Sequence, residues 1–388
     1  MPSLFVSGRI EVLGKHTDYC GGRSLVCAID KGFFVEFAPN DDSFIRLTNK
    51  DTNEAVAFPL VENLIIGQDS WVNYPQTAAQ RIAKNFKSRK LRGVDLEFRS
   101  NLPQAVGVSS SSALIIAVFF AISRINNLPE FEEYQRNIKD QFALGNYLGC
   151  IENGYDFGDL KGTKGVGTFG GSQDQTAIIC GKENYLSQFS FCPVRFEADL
   201  YLPEDYVFVI ASSGIVAEKT GAAKDKYNRL SMLSREIINK FETTLSLTEV
   251  IEKYGFDDVK AKLVSQASVN RLTQFYAESF EIIPQVSEYL RNNEFEKIGE
   301  LIDLSHRNAD QLLGNQTPET NFLQASARAH GALAASAFGA GFGGSVYALV
   351  EKGKSPEFLK SWGSEYAAKF PHLKASVFIT RPSQSNLK

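Results

Sequence analysis

Four hydroxyl side chains stand in a row in Leu102-Pro103-Gln104-Ala105-Val106-Gly107-Val108-Ser109-Ser110-Ser111-Ser112-Ala113, and the apolar segment Leu114–Ile122 follows at once. Such a stretch reads as a helix start. The first backbone N–H groups of a helix have no intrahelical partner and lie at the positive end of its dipole, so they attract an anion. Gly107 lets the backbone come close to a phosphate, and the hydroxyls of Ser109, Ser110, Ser111 and Ser112 suit a phosphate oxygen or a magnesium ion. Capping alone needs one serine, and the alternative reading is an over-provisioned N-cap on a buried helix.

A second cluster lies near the N-terminus, in Gly8-Arg9-Ile10-Glu11-Val12-Leu13-Gly14-Lys15-His16-Thr17-Asp18-Tyr19. Asp18 can accept from two adjacent hydroxyls of a polyol, and Arg9 can stabilise negative charge beside a transferring group. A third candidate is Asp174 in Gly171-Ser172-Gln173-Asp174-Gln175, where a plain turn residue is the alternative. Gly339-Ala340-Gly341-Phe342-Gly343-Gly344 invites a dinucleotide-fold reading, but these glycines feed a strand pattern, Ser345–Val350, where that fold needs a helix. Gly353-Lys354-Ser355 ends like a P-loop, yet Ala348 stands where the earlier glycine must be. A nucleotide phosphate therefore falls to Gly107–Ser112.

The elements that must position these residues alternate in character along the chain. Strands are expected at Leu4–Ile10, Ser24–Ala38, Ser43–Thr48, Glu54–Leu60 and Leu91–Phe98, with a helix at Trp71–Phe86 and another at Glu130–Leu148. Gly154–Gly171 is too rich in glycine for either and reads as a substrate-facing loop or lid. Gln173–Cys180 and Tyr185–Phe191 read as paired strands, and Tyr206–Ser212 as another. Helical patterns follow at Ala217–Phe241, Ser268–Asn292, Phe295–Leu313, Glu319–His330 and Pro356–Phe370, with strands at Ser345–Glu351 and Ala375–Thr380. The whole is an α/β (α+β) chain. At 388 residues, 43% of them hydrophobic, two domains are expected, divided near Phe196–Pro203 into 1–198 and 199–388.

Composition narrows the class further. A net charge of −4 without Lys/Arg-rich runs gives no nucleic-acid footprint. The longest apolar run, Ala113–Ile122, is too short to span a bilayer, and the N-terminus lacks a leader pattern, so a cytoplasmic protein with no membrane partner is expected. Five scattered cysteines and four histidines indicate neither a disulfide framework nor a zinc site.

Taken in order, the three glycine-bearing segments resemble the motifs of the GHMP kinases, and Gly8–Tyr19 resembles the signature G-R-x-N-x-x-G-E-H-T-D-Y of their galactokinase branch. The resemblance implies a ribosomal-S5-domain-2-like N-terminal domain that binds ATP and sugar, and a ferredoxin-like C-terminal GHMP kinase domain. It implies ATP-dependent, magnesium-assisted phosphorylation of the anomeric hydroxyl of a monosaccharide, galactose above all, by a monomer or weak dimer. Carried over residue by residue, it makes Arg9 and Asp174 catalytic. It gives Lys15, His16, Asp18, Gly171 and Tyr227 to the sugar and Gly107–Ser112, Gly341 and Gly343 to ATP. Ser111 and Glu152 fall on the magnesium ligands.

Two positions depart from the pattern: Glu11 replaces its Asn and Lys15 its sugar-contacting Glu. Either Lys15 meets a substrate carboxylate, as in galacturonate or glucuronate, or the sugar lacks or changes C6, as arabinose does, or Glu11 and Lys15 simply pair with each other. Two further readings compete. One is a non-catalytic sugar sensor, which the intact Arg9, Asp174 and serine run oppose. The other is a kinase of mevalonate or homoserine, which His16-Thr17-Asp18-Tyr19 opposes.

Overall fold

Eight strands and a largely buried helix hold the N-terminal motifs in place. The computed structural model describes residues 2–67, 71–102, 107–215 and 221–387; residues 103–106 of the serine-run segment and the start of the helix expected from Ala217 lie outside them. The first sheet is built from β1 (Ser3–Leu13), β2 (Arg23–Asn40), β3 (Phe44–Asn49), β4 (Ala55–Pro59), β5 (Gly93–Ser100), β6 (Tyr185–Ser190) and β7 (Arg195–Tyr201), with a two-residue strand from the chain's end, Pro382–Ser383, paired to β2 as the eighth. The long β2 is its spine, pairing antiparallel with β1 on one side and with β5 and β6 on the other. Parallel pairing of β3 with β5 makes the sheet mixed.

Over this sheet lie α1 (Asn73–Asn85) and α2 (Ser110–Asn126). Eleven residues of α2, from Ser112 to Ser123, are buried, so the helix has almost no solvent face and its N-terminus is fixed by the core around it. A helix whose middle, Ala113–Ile122, is apolar on nearly every side cannot slide without exposing that surface, and each large side chain such as Ile115 or Phe119 is worth about 1.5–3 kcal/mol of burial. The single helix expected over Glu130–Leu148 is two, α3 (Glu132–Asn137) and α4 (Gln141–Asn153), because the Asp140 carboxylate accepts from Ala143 N and starts a new helix there.

Gln173–Cys180 is a helix, α5, and not a strand. Eight residues with a short apolar run satisfy either period, and the packing of α5 against α4 and β2 decides. Asp174 consequently sits in a first helical turn, where a carboxylate is favoured by the dipole. The strand β7, absent from the sequence expectations, pairs with β6, so position 198 falls inside a strand of the first sheet.

The second half contributes β8 (Tyr206–Ser212) and the helices α6 (Gly221–Ile238), α7 (Leu247–Tyr254), α8 (Phe256–Ala261), α9 (Gln266–Tyr276), α10 (Ile283–Arg291), α11 (Ile298–Asn308) and α12 (Pro318–Ala329). β9 (Ala334–Phe338), β10 (Ser345–Glu351), α13 (Ser355–Lys369), β11 (Val377–Thr380) and β12 (Pro382–Ser383) complete it. Its sheet, in the order β11-β8-β10-β9, is antiparallel. Alternation along β8 sends Val207, Val209 and Ala211 toward Trp362 and Tyr366 of α13, and Phe208 and Ile210 into the large core shared with the first half. The halves thus meet face to face. Glycines at 339, 341, 343 and 344 all take positive φ, which lets the β9–β10 connection turn tightly beside the mouth of α2.

Candidate active site

The mouth of α2 is where the three motifs converge. Ser109 precedes the helix in the left-handed region (φ 60°, ψ 41°), and its side chain makes no capping bond. Instead Ser109 Oγ donates to Asp174 Oδ2 at 2.6 Å. The other carboxylate oxygen, Oδ1, accepts from Arg9 Nε at 2.7 Å, and Arg9 Nη1 donates to Gly107 O at 3.1 Å. Arg9 is 3% exposed, so this charge-assisted bond acts with little solvent screening. A Cβ on Gly107 would find only Gly344 Cα and Ser345 N, at 3.7 and 4.0 Å, and Ser110 is exposed, so the serine mouth stays accessible.

Behind this group Glu152, at the end of α4, accepts through Oε2 from Ser112 Oγ at 2.7 Å and from Gln175 Nε2 at 2.6 Å. The structure therefore sets Ser112 beside Glu152; the hydroxyl expected there, Ser111, is half-buried on the next position of the helix surface. Gln175, which no motif marked, is found only by folding, because α5 turns it to Glu152.

The polyol cluster forms the adjoining wall. Asp18 Oδ2 accepts from Gln173 N at 3.0 Å, and a Cβ on Gly171 would stand 2.4 Å from that same oxygen, so position 171 needs glycine. His16, itself at φ 58°, lies between Tyr19 Oη at 2.9 Å and Ala340 O at 3.0 Å, and its ring is 5.1 Å from that of Tyr227. Its backbone carbonyl accepts from the fully buried Arg271. The glycine-rich loop is tied down by Asn153, which donates to Gly171 O and accepts from Gly170 N and Thr168 Oγ1, and by Asn228, which accepts from Phe169 N.

One cavity joins these walls, lined among others by Arg9, Glu11, Asp18, Glu152, Asp174 and Tyr227. Of the sequence candidates, Gly107–Ser112 are outside that lining, and so is Lys15. It is 1% exposed, and its Nζ donates to Ser305 Oγ at 3.0 Å, which in turn donates to Glu278 Oε1 at 3.0 Å. Glu278, in the π-helical turn Ala277–Ile282 between α9 and α10, also accepts from Gly14 N at 2.8 Å. A lysine followed by histidine in a polar motif looks like a site residue in sequence, and nothing in the motif reveals that its stem runs into the second half. Gly341 and Gly343 also face inward, against Asn315 and Ile215, and support the turn beside Gly107.

Glu11 is the residue that the structure brings forward. Arg9 and Glu11 are two apart on β1 and so share a face of the strand, with Arg9 opposite Ala28 and Glu11 opposite Val26. Burial pushes the Glu11 carboxyl up to about 7, against the pull of Lys15 and Arg9. Among the described residues no ion pair within 4.0 Å joins Glu11 to Lys15.

Known proteins share both the motifs and the architecture. Residues 4–39 match the galactokinase galactose-binding signature, 73–149 the GHMP kinases N terminal domain and 286–368 the GHMP kinases C terminal. The galactokinase of Fusobacterium nucleatum is 27% identical, over 97% of this chain and 92% of its own. That of Halalkalibacterium halodurans is 25% identical, over 97% and 90%. In fold, the chain is similar to the crystal structure of Lactococcus lactis galactokinase complexed with galactose, with a TM-score of 0.82 and 24% identity, covering 100% of this chain and 95% of that one.

Proposed function

The chain belongs to the GHMP kinase family and carries its galactokinase galactose-binding signature, and on that premise we propose that it transfers the γ-phosphoryl group of ATP to the anomeric hydroxyl of galactose. The observation that carries this reading is the pairing of Arg9 with Asp174 in one cavity with Asp18 and His16, with Ser109 at the mouth of α2 donating to the same Asp174.

Phosphoryl transfer passes through a loose transition state, so the protein chiefly positions its reactants and neutralises charge. The sugar hydroxyl attacks the γ-phosphorus while the bond to the bridging oxygen of ADP breaks. The hydroxyl proton passes late to Asp174, when the forming oxygen–phosphorus bond has made it acidic. Arg9 orients Asp174 through its Nε bond to Oδ1, and its guanidinium spreads charge away from the phosphoryl oxygens. Asp18 and His16 orient the sugar, and the backbone from Gly107 to Ser112 receives the phosphates.

Magnesium suits the donor set at this mouth. Glu152 offers one carboxylate and Ser111 and Ser112 offer hydroxyls; no group of three or more His, Cys, Asp or Glu gathers among the described residues, as befits an ion that completes its shell with water and phosphate oxygens. Such an ion would neutralise developing charge on the phosphates. The described cysteines are all free, which supports a reducing, cytoplasmic setting, and no described helix is long and apolar enough to cross a membrane.

The test is ADP release with ATP, magnesium and a panel of galactose, galacturonate, glucuronate and arabinose. Galactose is expected to give the highest kcat/KM. A protein that binds galactose and ATP yet releases no ADP with any sugar would overturn the kinase reading in favour of a sensor.

A further inference from the structure

Among the described residues, two buried side-chain oxygens of the cavity lining have no hydrogen-bond partner, Oε1 of Gln175 and Oε1 of Glu11, and the second belongs to a carboxylate. Glu11 lines the cavity and is 2% exposed, and its Oε1 has no hydrogen-bond partner. An unpartnered carboxylate oxygen at such depth is costly to the fold, a cost that a ligand donor would offset. Behind it stands Lys15, whose ammonium is equally buried and has a neutral partner, Ser305.

Resting on the sugar-kinase reading, we infer that Glu11 is a sugar-binding residue whose carboxylate accepts a hydrogen bond from a substrate hydroxyl, and that Lys15 is a positioning residue supplying the counter-charge behind it. The galactokinase pattern places a neutral Asn and an acidic Glu at these two positions. Here the acid has moved to the strand and a base has taken the place of the acid, so the cavity keeps its carboxylate while changing the side from which it reaches the sugar. The consequence is a preference for neutral sugars. Glu11, Asp18, Glu152 and Asp174 line the cavity against one permanent cation, Arg9, and the carboxylate of a uronic acid would enter that field unpaired.

The groups facing Glu11 are Arg9 beside it on β1, Lys15 beyond the end of β1, Asp174 on α5 and Glu278 in the π-helical turn, with the Tyr347 hydroxyl of β10 also close. Lys15 and Arg9 favour its ionised form, and the two acids oppose it. Ionised Glu11 is the accepting form, so sugar affinity and kcat/KM for galactose rise as pH passes through about 7.

The experiment measures galactose and galacturonate turnover from about pH 5.5 to 9, with direct calorimetric binding of both sugars, for the wild type, Glu11→Gln and Lys15→Met. Glu11→Gln keeps the side-chain volume. It is expected to raise the KM and Kd for galactose about tenfold or more at about pH 8 while kcat changes less than about threefold. It should also abolish the rise near neutrality. Lys15→Met is expected to move that rise to higher pH, an effect that mere loss of packing does not produce. Unchanged KM, Kd and pH profile in Glu11→Gln would overturn the inference, as would wild-type preference for galacturonate. If the wild type binds galactose without turnover and Glu11→Gln weakens that binding, the kinase reading falls and the role of Glu11 stands.

Discussion

Arg9 and Glu11 leave β1 on the same face, two residues apart, and enter surroundings that treat a buried charge in opposite ways. At the Arg9 end both oxygens of Asp174 are engaged, one by a guanidinium and one by a serine hydroxyl, and Arg9 also donates to the backbone at Gly107. At the Glu11 end a carboxylate is held in the cavity wall without a hydrogen bond of its own, and its counter-charge sits at a distance. Under the proposed function the first arrangement is preorganised: a transition state would meet dipoles already in place. The second is complementary to something that arrives. One strand thus carries the part of the site that must not move and the part that must be completed.

If the transfer end works in this way, Asp174→Asn is the substitution of largest effect. The amide cannot take a proton, and the interaction with Arg9 loses its charge. Turnover is expected to fall about 100- to 10,000-fold, with galactose binding changed less than about threefold. Steady-state kinetics with calorimetry reads both numbers. Full activity in Asp174→Asn would remove the assigned proton acceptor and dissolve the distinction between the two ends.

The transfer end was legible in sequence and the far end was not, for a physical reason. Glycines and serines beside a phosphate are constrained by backbone conformation and by unpaired N–H groups, which are local properties; Gly107 at φ 70° and the uncapped start of α2 appear as expected. Asp174 was legible as a candidate, and it does lie beside Arg9, but it was not legible as part of a helix, because eight residues leave the period undecided until α4 and β2 pack against them. The environment of Lys15 depends on Ser305 and Glu278, 290 and 263 residues away. No local pattern carries such information. The same holds for β7 and β9, whose strand character comes from their neighbours.

The far end makes a second prediction, smaller and about stability. The folded-state value of Glu11, about 7, lies above its ordinary 4.5, so the protonated form is the one that the fold favours. The sign follows: stability is fully present below about pH 4.5 and is lost as pH rises through 7. Well above that point the loss approaches about 3 kcal/mol. Glu11→Gln removes it, and thermal or urea unfolding at about pH 8 is expected to show a more stable protein than the wild type, with the gap closing toward about pH 5. No gain at high pH would mean that Glu11 is already satisfied, and the two ends would then be alike.

The smallest effect separates capping from catalysis at a single serine. Ser109 occupies the position from which a serine ordinarily caps its helix, and loss of such a cap costs about 1 kcal/mol of stability. Here the left-handed backbone turns the hydroxyl away from the first N–H groups and toward Asp174 Oδ2. Ser109→Ala should therefore leave unfolding free energy within about 0.5 kcal/mol of the wild type. The hydroxyl's loss should instead reduce kcat by about three- to tenfold, because Asp174 keeps Arg9 but loses the shorter of the two serine contacts on its second oxygen, Ser112 Oγ standing at 3.4 Å. A variant less stable by about 1 kcal/mol with unaltered kcat would make Ser109 an ordinary cap. The transfer end would then rest on the arginine–aspartate pair alone, and the four-serine run would need another reason for its length.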